Sequence, residues 1–315
     1  MARAGHDAHM NNSPSAPLVR SELAKRIAPF RVRPGTQVQL GRDFDPGFRD
    51  DFVKKSDAAD ALREGVAQLG DYQARLAAQG QHAVLVVLQA MDAAGKDGTI
   101  KHVLSGVNPQ GVSVHSFKAP SAAELQHDFL WRAQTSLPER GSIGIFNRSH
   151  YEEVLVVRVH PELLTQEQLP ASAIKQGVWK RRYREINDWE RYLVDNGVRV
   201  VKVFLHLSKE EQRRRFIARI EQPEKNWKFS VHDVTERAHW DEYQQAYQDM
   251  LTATSTRHAP WHVVPADHKW FARLATSWII LDTLVGIDPQ YPVVDEQTRQ
   301  TMLELKNQLE AEPPE

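Results

Sequence analysis

Cysteine is missing from all 315 residues. That excludes disulfides, thiolate metal sites and a cysteine nucleophile, and it suits a reducing compartment such as the cytoplasm. No apolar run approaches the ~20 residues of a membrane helix, so no membrane partner is expected. Residues 1–17 lack the apolar core of a secretory signal, so export is not expected either. Net charge is scarce as well: 40 Lys and Arg against 41 Asp and Glu leave -1. A generally basic nucleic-acid binder is disfavoured, and any polyanion site has to be a local cluster. The zinc spacing HExxH, the GxSxG nucleophile elbow and the guanine signature [NT]KxD are all absent. His102, His127, His150 and His160 therefore read as packing groups rather than zinc ligands.

What is present suits a folded domain: 41% hydrophobic and 26% charged residues exclude wholesale disorder. Residues 1 to about 20 read as a flexible tail, and 20–51 as an irregular, packed extension. Apolar residues at helical spacing predict a helix over 57–78. The run AVLVVL at 83–88 suits a strand buried on both faces. Further strands are expected at 111–117, 142–146, 198–207 and 261–264. Helices are expected from Lys96, over 121–136 behind the capping box Ser121 to Glu124, and over 174–196, 208–220, 235–252 and 268–284. A charged helix follows Asp295. Alternating strands and helices imply a doubly wound α/β sheet. The expected layout is a tail and extension at 1–45, one domain at 46–290 and a C-terminal helix and tail at 291–315.

The most informative stretch is LVVLQAMDAAGKDGT, residues 85–99. A phosphate loop needs small residues whose N–H groups face the phosphates, a helix N-terminus, and a Lys. Ala94, Gly95, Lys96, Asp97, Gly98 and Thr99 supply these parts. The match to GxxxxGK[ST] is imperfect, with Ala90 at the first glycine and Asp97 at the hydroxyl position. An ordinary strand-to-helix turn remains the alternative. Asp92 adds a carboxylate that can hold a hard cation in place of the missing hydroxyl.

A second constellation follows the third strand, at Asn147 and Arg148. Ligands in such sheets sit at the carboxyl ends of strands, which places both beside Lys96. Arg148 can grip phosphate in a planar fork, or it can pair with Glu152. A third is basic: Arg213, Arg214, Arg215 and Arg219 on one helix, then Lys225 and Lys228. It reads either as an arginine-rich lid over about 208–235 or as a solvated charged helix. Lys175, Lys180, Arg181, Arg182 and Arg184 form another basic cluster, with Glu185, Asp188 and Glu190 available for surface pairing.

Several ordered motifs together resemble the polyphosphate kinase 2 family. They are MDAAGKDGTIKH (91–102), SGVNPQGVSVHSFKAPS (105–121), HDFLWR (127–132), FNRSHYEEVLVVRVH (146–160), RRFIARIEQPEKNWKFS (214–230) and APWHVVPADHKW (259–270). The resemblance implies a P-loop kinase-like three-layer sandwich with a five-stranded parallel sheet and a helical lid. It implies magnesium, with manganese as an alternative, bound by Asp92, and phosphate bound by Lys96. Arg148 and the lid arginines Arg214, Arg215 and Arg219 are then expected on the transferring phosphoryl group. Many members have Asp-Arg-Ser where this chain has Asn147-Arg148-Ser149, so a second metal ligand at Asn147 is in doubt.

The implied reaction is reversible transfer of a terminal phosphoryl group from inorganic polyphosphate to AMP or ADP. Lys101, Lys118 and Arg182 are expected along a polyphosphate groove. Asp128, Arg132, Asn147 and Glu152 are the candidates for nucleotide contacts. The resemblance also implies a homodimer or homotetramer. Two other readings stand beside it: a nucleoside monophosphate kinase using ATP as donor, and a nucleotide-dependent switch or nucleic-acid-binding ATPase.

Overall fold

The computed structural model describes residues 20–52, 55–174 and 177–312. The expected N-terminal tail, Lys175 and the last three residues lie outside them. Strand β1 (Ala83–Ala90) is buried at every position. A strand of that kind needs partners on both edges and layers on both faces. It has them. β1 pairs in parallel with β3 (Ile143–Asn147) on one edge and β4 (Val198–His206) on the other. β2 (Val112–Ser116) extends the sheet beyond β3, and β5 (Trp261–Pro265) extends it beyond β4, again in parallel. The order is β2-β3-β1-β4-β5.

Alternate β1 residues serve opposite layers, as the period of two requires. Val84, Val86 and Leu88 pack with helices Arg20–Ile27, Lys55–Gln79 and Lys269–Ile287. Leu85 and Val87 pack with helices Val178–Asp195 and Trp240–Thr254. The result is a three-layer α/β sandwich. The chain leaves β1 toward β2 and leaves β3 toward β4 on the far side. That reversal opens a crevice between the carboxyl ends of β1 and β3.

Some elements depart from expectation. Residues 20–51 are less irregular than their Pro, Gly and charge content suggests. Helix Arg20–Ile27 buries Leu23 and Ile27 in the core, and Phe30 follows them. Val32 then donates its N–H to Trp261 O at 2.9 Å, while its own carbonyl accepts from Ser255 Oγ at 2.8 Å. The capping box does form, with Ser121 N to Glu124 Oε2 at 2.7 Å and Glu124 N to Ser121 Oγ at 3.2 Å. It opens only a 3-10 turn, Glu124–Gln126, because the Asp128 carboxylate takes Leu130 N at 2.9 Å and breaks the run. Regular helix resumes for Trp131–Gln134 alone. The long helix starts at Val178 rather than 174, since Gly177 adopts φ +95°. The expected helix 235–252 is two, Val231–Glu236 and Trp240–Thr254, joined by the turn Arg237–His239.

Helix Lys269–Ile287 is long and apolar enough, by length and composition, to cross a membrane. Here it is the central helix of one layer, with Phe271, Leu274, Trp278 and Leu281 buried. The C-terminal helix Glu296–Glu310 forms as expected, capped by Asp295, and stays exposed.

Candidate active site

The loop after β1 turns sharply. Ala93 (φ +64°) and Gly95 (φ +106°) both occupy the left-handed region, which glycine adopts freely and alanine does not. Helix Lys96–Val103 starts at once, and Thr99 N closes its first turn on Gly95 O at 3.0 Å. Lys96 folds back so that Nζ donates to Ala90 O at 3.0 Å, at the end of β1. Burial pulls the Lys96 amine below its ordinary range, and Arg148 adds to that; Asp92, Glu152 and Asp97 oppose it. A partly desolvated cation short of partners is suited to an anionic ligand.

The end of β3 meets this loop. Arg148 N bonds Leu88 O at 3.1 Å, so the sheet holds the backbone, yet Arg148 itself sits at φ +61°. Such strain in a non-glycine residue persists only where surroundings enforce it. From there Arg148 Nη2 donates to Asp92 Oδ1 at 2.8 Å, and Nη1 lies 4.0 Å from Glu152. Burial works against the Arg148 charge, but Glu152 and Asp92 outweigh it and raise its pKa. Asn147 Nδ2 donates to Asp97 Oδ1 at 2.9 Å, tying β3 to the first turn after Lys96. Asp92, Lys96, Asp97, Asn147, Arg148 and Glu152 therefore share one crevice.

The basic stretch divides. Arg214 is 61% exposed beside Glu210 and Glu211. Arg213 pairs with Glu210 in solvent. Arg219 binds Asp233 at 2.9 Å, joining helix Lys209–Glu221 to the short helix Val231–Glu236 across the lid. The Asp233 carboxyl is raised first by burial and then by the Asp92 charge. Arg215 does not point into solvent or into the crevice with its fork free. Its Nη1 donates to Ala93 O (3.0 Å) and Ala94 O (2.7 Å), and its Nη2 to Ala266 O (2.5 Å) and Asp267 O (3.1 Å).

Arg182 and Arg132 are also placed differently from expectation. Arg182 is buried, pairing with Glu167 and donating to Glu153 O at 2.8 Å. Arg132 is buried too, with Lys118 O at 2.8 Å and Glu153 at 3.4 Å. Neither guanidinium lines an open groove: Arg132 holds the segment after β3 against the segment after β2, and Arg182 ties helix Val178–Asp195 to the segment after β3. The Lys101 and Lys118 side chains stay at the surface. The Asp128 carboxylate caps its own turn.

Sequence reasoning missed several supports. Lys202, in the middle of β4, is fully buried and donates to Glu190 Oε2 (2.6 Å), Tyr151 OH (3.0 Å) and Thr254 O (2.7 Å). Tyr151 OH in turn donates to Glu190 Oε1 at 2.7 Å. This network anchors the turn that carries Arg148. A lysine inside the apolar run VRVVKVFLHL was the available signal, because a buried charge needs a partner. Gln212, which reaches Asp92 O at 3.1 Å, carried no such signal.

Among the described residues no three His, Asp or Glu side chains gather into a ready-made metal cage. Magnesium does not need one. It takes one or two carboxylates and completes its shell with phosphate oxygens and water. Asp92 and Asp97, which both act on Lys96, fit that oxygen-donor chemistry.

Comparisons with known proteins place the chain as a whole. The family model for polyphosphate kinase 2 matches residues 52–292. An ADP-polyphosphate phosphotransferase of Rhodopseudomonas palustris is 51% identical over 284 residues, covering 89% of this chain and 97% of the relative. An AMP/ADP-polyphosphate phosphotransferase of Meiothermus ruber is 45% identical over 276 residues, covering 87% and 99%. The crystal structure of polyphosphate kinase 2 from Arthrobacter aurescens TC1 superposes with a TM-score of 0.78 at 39% identity, covering 91% of this chain and 97% of that one. With the family model matched over residues 52–292 and two relatives at 51% and 45% identity covered over nearly their whole length, the chain belongs to the polyphosphate kinase 2 family.

Proposed function

We propose that the chain transfers a terminal phosphoryl group from inorganic polyphosphate to AMP or ADP, reversibly and with magnesium. The observation that carries this reading is the convergence of Asp92, Lys96 and Arg148 between the ends of β1 and β3. The names of the relatives from Rhodopseudomonas palustris and Meiothermus ruber support the donor and the acceptors.

A nucleotide phosphate oxygen attacks the terminal phosphorus of the chain. The bridging P–O bond breaks, and the shortened polyphosphate leaves with the electron pair. The acceptor oxygen is already a competent nucleophile near neutral pH, so no strong general base is required. Catalysis then rests on placement and charge. Lys96 and the loop N–H groups hold donor phosphate. Arg148, kept charged by Asp92 and Glu152, offsets charge on the equatorial oxygens. Asp92 and Asp97 would hold magnesium, or manganese in its place, which neutralises phosphate charge when bound. The reading includes ATP as the product from ADP, and a homodimer or homotetramer in the cytoplasm.

The test is direct. Purified protein with magnesium, polyphosphate and either AMP or ADP is expected to make ADP or ATP, resolved by chromatography. No product from either acceptor sinks the proposal. If ATP phosphorylates AMP better than polyphosphate does, an ATP-dependent nucleoside monophosphate kinase replaces it. Chelation of divalent cations is expected to stop turnover.

A further inference from the structure

Three successive carbonyls of the phosphate loop point to one helix outside it. Asp92 O accepts from Gln212 Nε2 at 3.1 Å. Ala93 O and Ala94 O accept from Arg215 Nη1 at 3.0 and 2.7 Å. Gln212 and Arg215 lie three apart on helix Lys209–Glu221 and so share a face. Both are buried although both are polar, and Arg215 keeps its charge in contact with Glu211, with Nε to Oε1 at 2.8 Å. Burying an arginine fork against four carbonyls is costly unless each hydrogen bond is made.

In a trans peptide the C=O of one residue and the N–H of the next point opposite ways. Drawing the carbonyls of Asp92 and Ala94 toward the helix therefore turns the N–H groups of Ala93 and Gly95 away from it. Among the described residues neither N–H has an acceptor, whereas Ala94 N–H takes Met91 O at 3.3 Å. Two free N–H groups flanking left-handed backbone make the concave nest that binds phosphate oxygens.

We propose that Gln212 and Arg215 are positioning residues for phosphoryl transfer: by holding the carbonyls of Asp92, Ala93 and Ala94 they aim the loop N–H groups at the donor phosphate and fix the loop to the base of the lid. The second half follows from the remaining bonds. Arg215 Nη2 holds Ala266 O and Asp267 O just past β5, and Asp267 Oδ1 accepts from Ser208 N, at the cap of the same helix, at 2.8 Å. Gln212 Oε1 accepts from Arg237 Nη1 at 2.8 Å, on the far side of the lid. Lid helix, phosphate loop and the end of β5 are thus one hydrogen-bonded frame. Arg215 acts through the loop backbone and not on the transferring group, which sets it apart from the lid role expected from its sequence position.

The proposal rests on the phosphotransfer reading, and the experiment separates the two. Wild type must first turn over with polyphosphate; if it does not, that reading fails and the loop is probed by binding of tripolyphosphate alone. Arg215→Ala and Gln212→Leu are compared with wild type by kcat, by KM for polyphosphate and for AMP, and by melting temperature. A loop displaced by about 1 Å costs on the order of 100-fold in rate. Arg215→Ala is expected to lose about that much kcat, with a raised KM for polyphosphate and an unchanged KM for AMP. Added guanidinium, against matched sodium chloride, is expected to restore part of the lost rate in Arg215→Ala and none in Lys96→Ala. Where Arg215→Ala does not fold, Arg215→Lys and Gln212→Leu carry the same comparison. Folded variants with wild-type kcat and tripolyphosphate affinity overturn the proposal. So does a loss explained wholly by a smaller folded fraction, with both KM values unchanged and no guanidinium rescue.

Discussion

Arg148 Nη2 sits 2.8 Å from Asp92 Oδ1, across the gap between the ends of β3 and β1. In the proposed reaction Arg148 meets phosphate and Asp92 a hard cation, and in the structure each holds the other in place. Asp92→Asn and Arg148→Lys are each expected to cost about 10²–10³ in kcat, the scale of removing one preorganised electrostatic group. Arg148→Lys keeps the charge and loses the planar fork. The double variant is expected to lose much less than the product of the single losses, because the two act as a unit. A double-mutant cycle in kcat/KM reads this, and strictly multiplicative losses would refute the coupling.

Lys96 carries a charge that burial disfavours. Lys96→Ala removes that charge together with its bond to Ala90 O. Activity is expected to fall by at least about 100-fold. The melting temperature is expected to hold or rise, since a partly desolvated amine has gone. Steady-state kinetics and thermal unfolding measured on the same preparation check both. Near-normal turnover would remove Lys96 from the phosphate site.

The Lys202–Glu190 pair lies fully buried beneath the Arg148 turn. Lys202→Met leaves the Glu190 carboxylate without its cation. The expected loss is about 3–5 kcal/mol of unfolding free energy. Lys202→Met combined with Glu190→Leu is expected to recover much of it. Denaturant titration compares the three proteins, and a single variant as stable as wild type would show the pair to be dispensable.

Glu153 lies between Arg132 and Arg182 with Glu167 nearby. Burial first, then Glu167, pushes its carboxyl up from the ordinary 4.5 to about 7, against both arginines. The folded state thus binds this proton more tightly than the unfolded chain. The group's stability contribution is full below pH 4.5 and lost as pH rises through about 7. Relative to Glu153→Gln, wild type is expected to lose roughly 3 kcal/mol across that window. His206 and His262, which burial holds down at about 4, titrate with the opposite sign. They are common to both proteins and cancel in the difference. Unfolding free energies across the window measure it, and a flat difference would contradict the raised carboxyl.

Much of the fold was legible because apolar period and local chemistry set it. Ala83 to Leu88 has to be a doubly buried strand, and the reciprocal bonds of Ser121 and Glu124 form as their spacing predicts. The capping box still failed to extend into a helix, since one carboxylate, Asp128, offered the backbone a competing bond. The Arg20–Ile27 helix was hidden for another reason. Eight residues are too few to hold a helix alone, and burial of Leu23 and Ile27 against Lys269–Ile287 is what holds it.

By itself the sequence determined the chemistry available: no thiol, near-zero net charge, and a strand, a small-residue loop and Gly95-Lys96 opening a helix. Those properties are local, and a chain carries them whatever its distant contacts. The tertiary structure decided which charges act. Arg215, Arg182 and Arg148 look alike as letters. One braces carbonyls, one is buried against carboxylates, and one reaches Asp92 in the crevice. A guanidinium takes its role from what lies within hydrogen-bond reach, and the partners that tell these three apart lie 15 to 122 positions away.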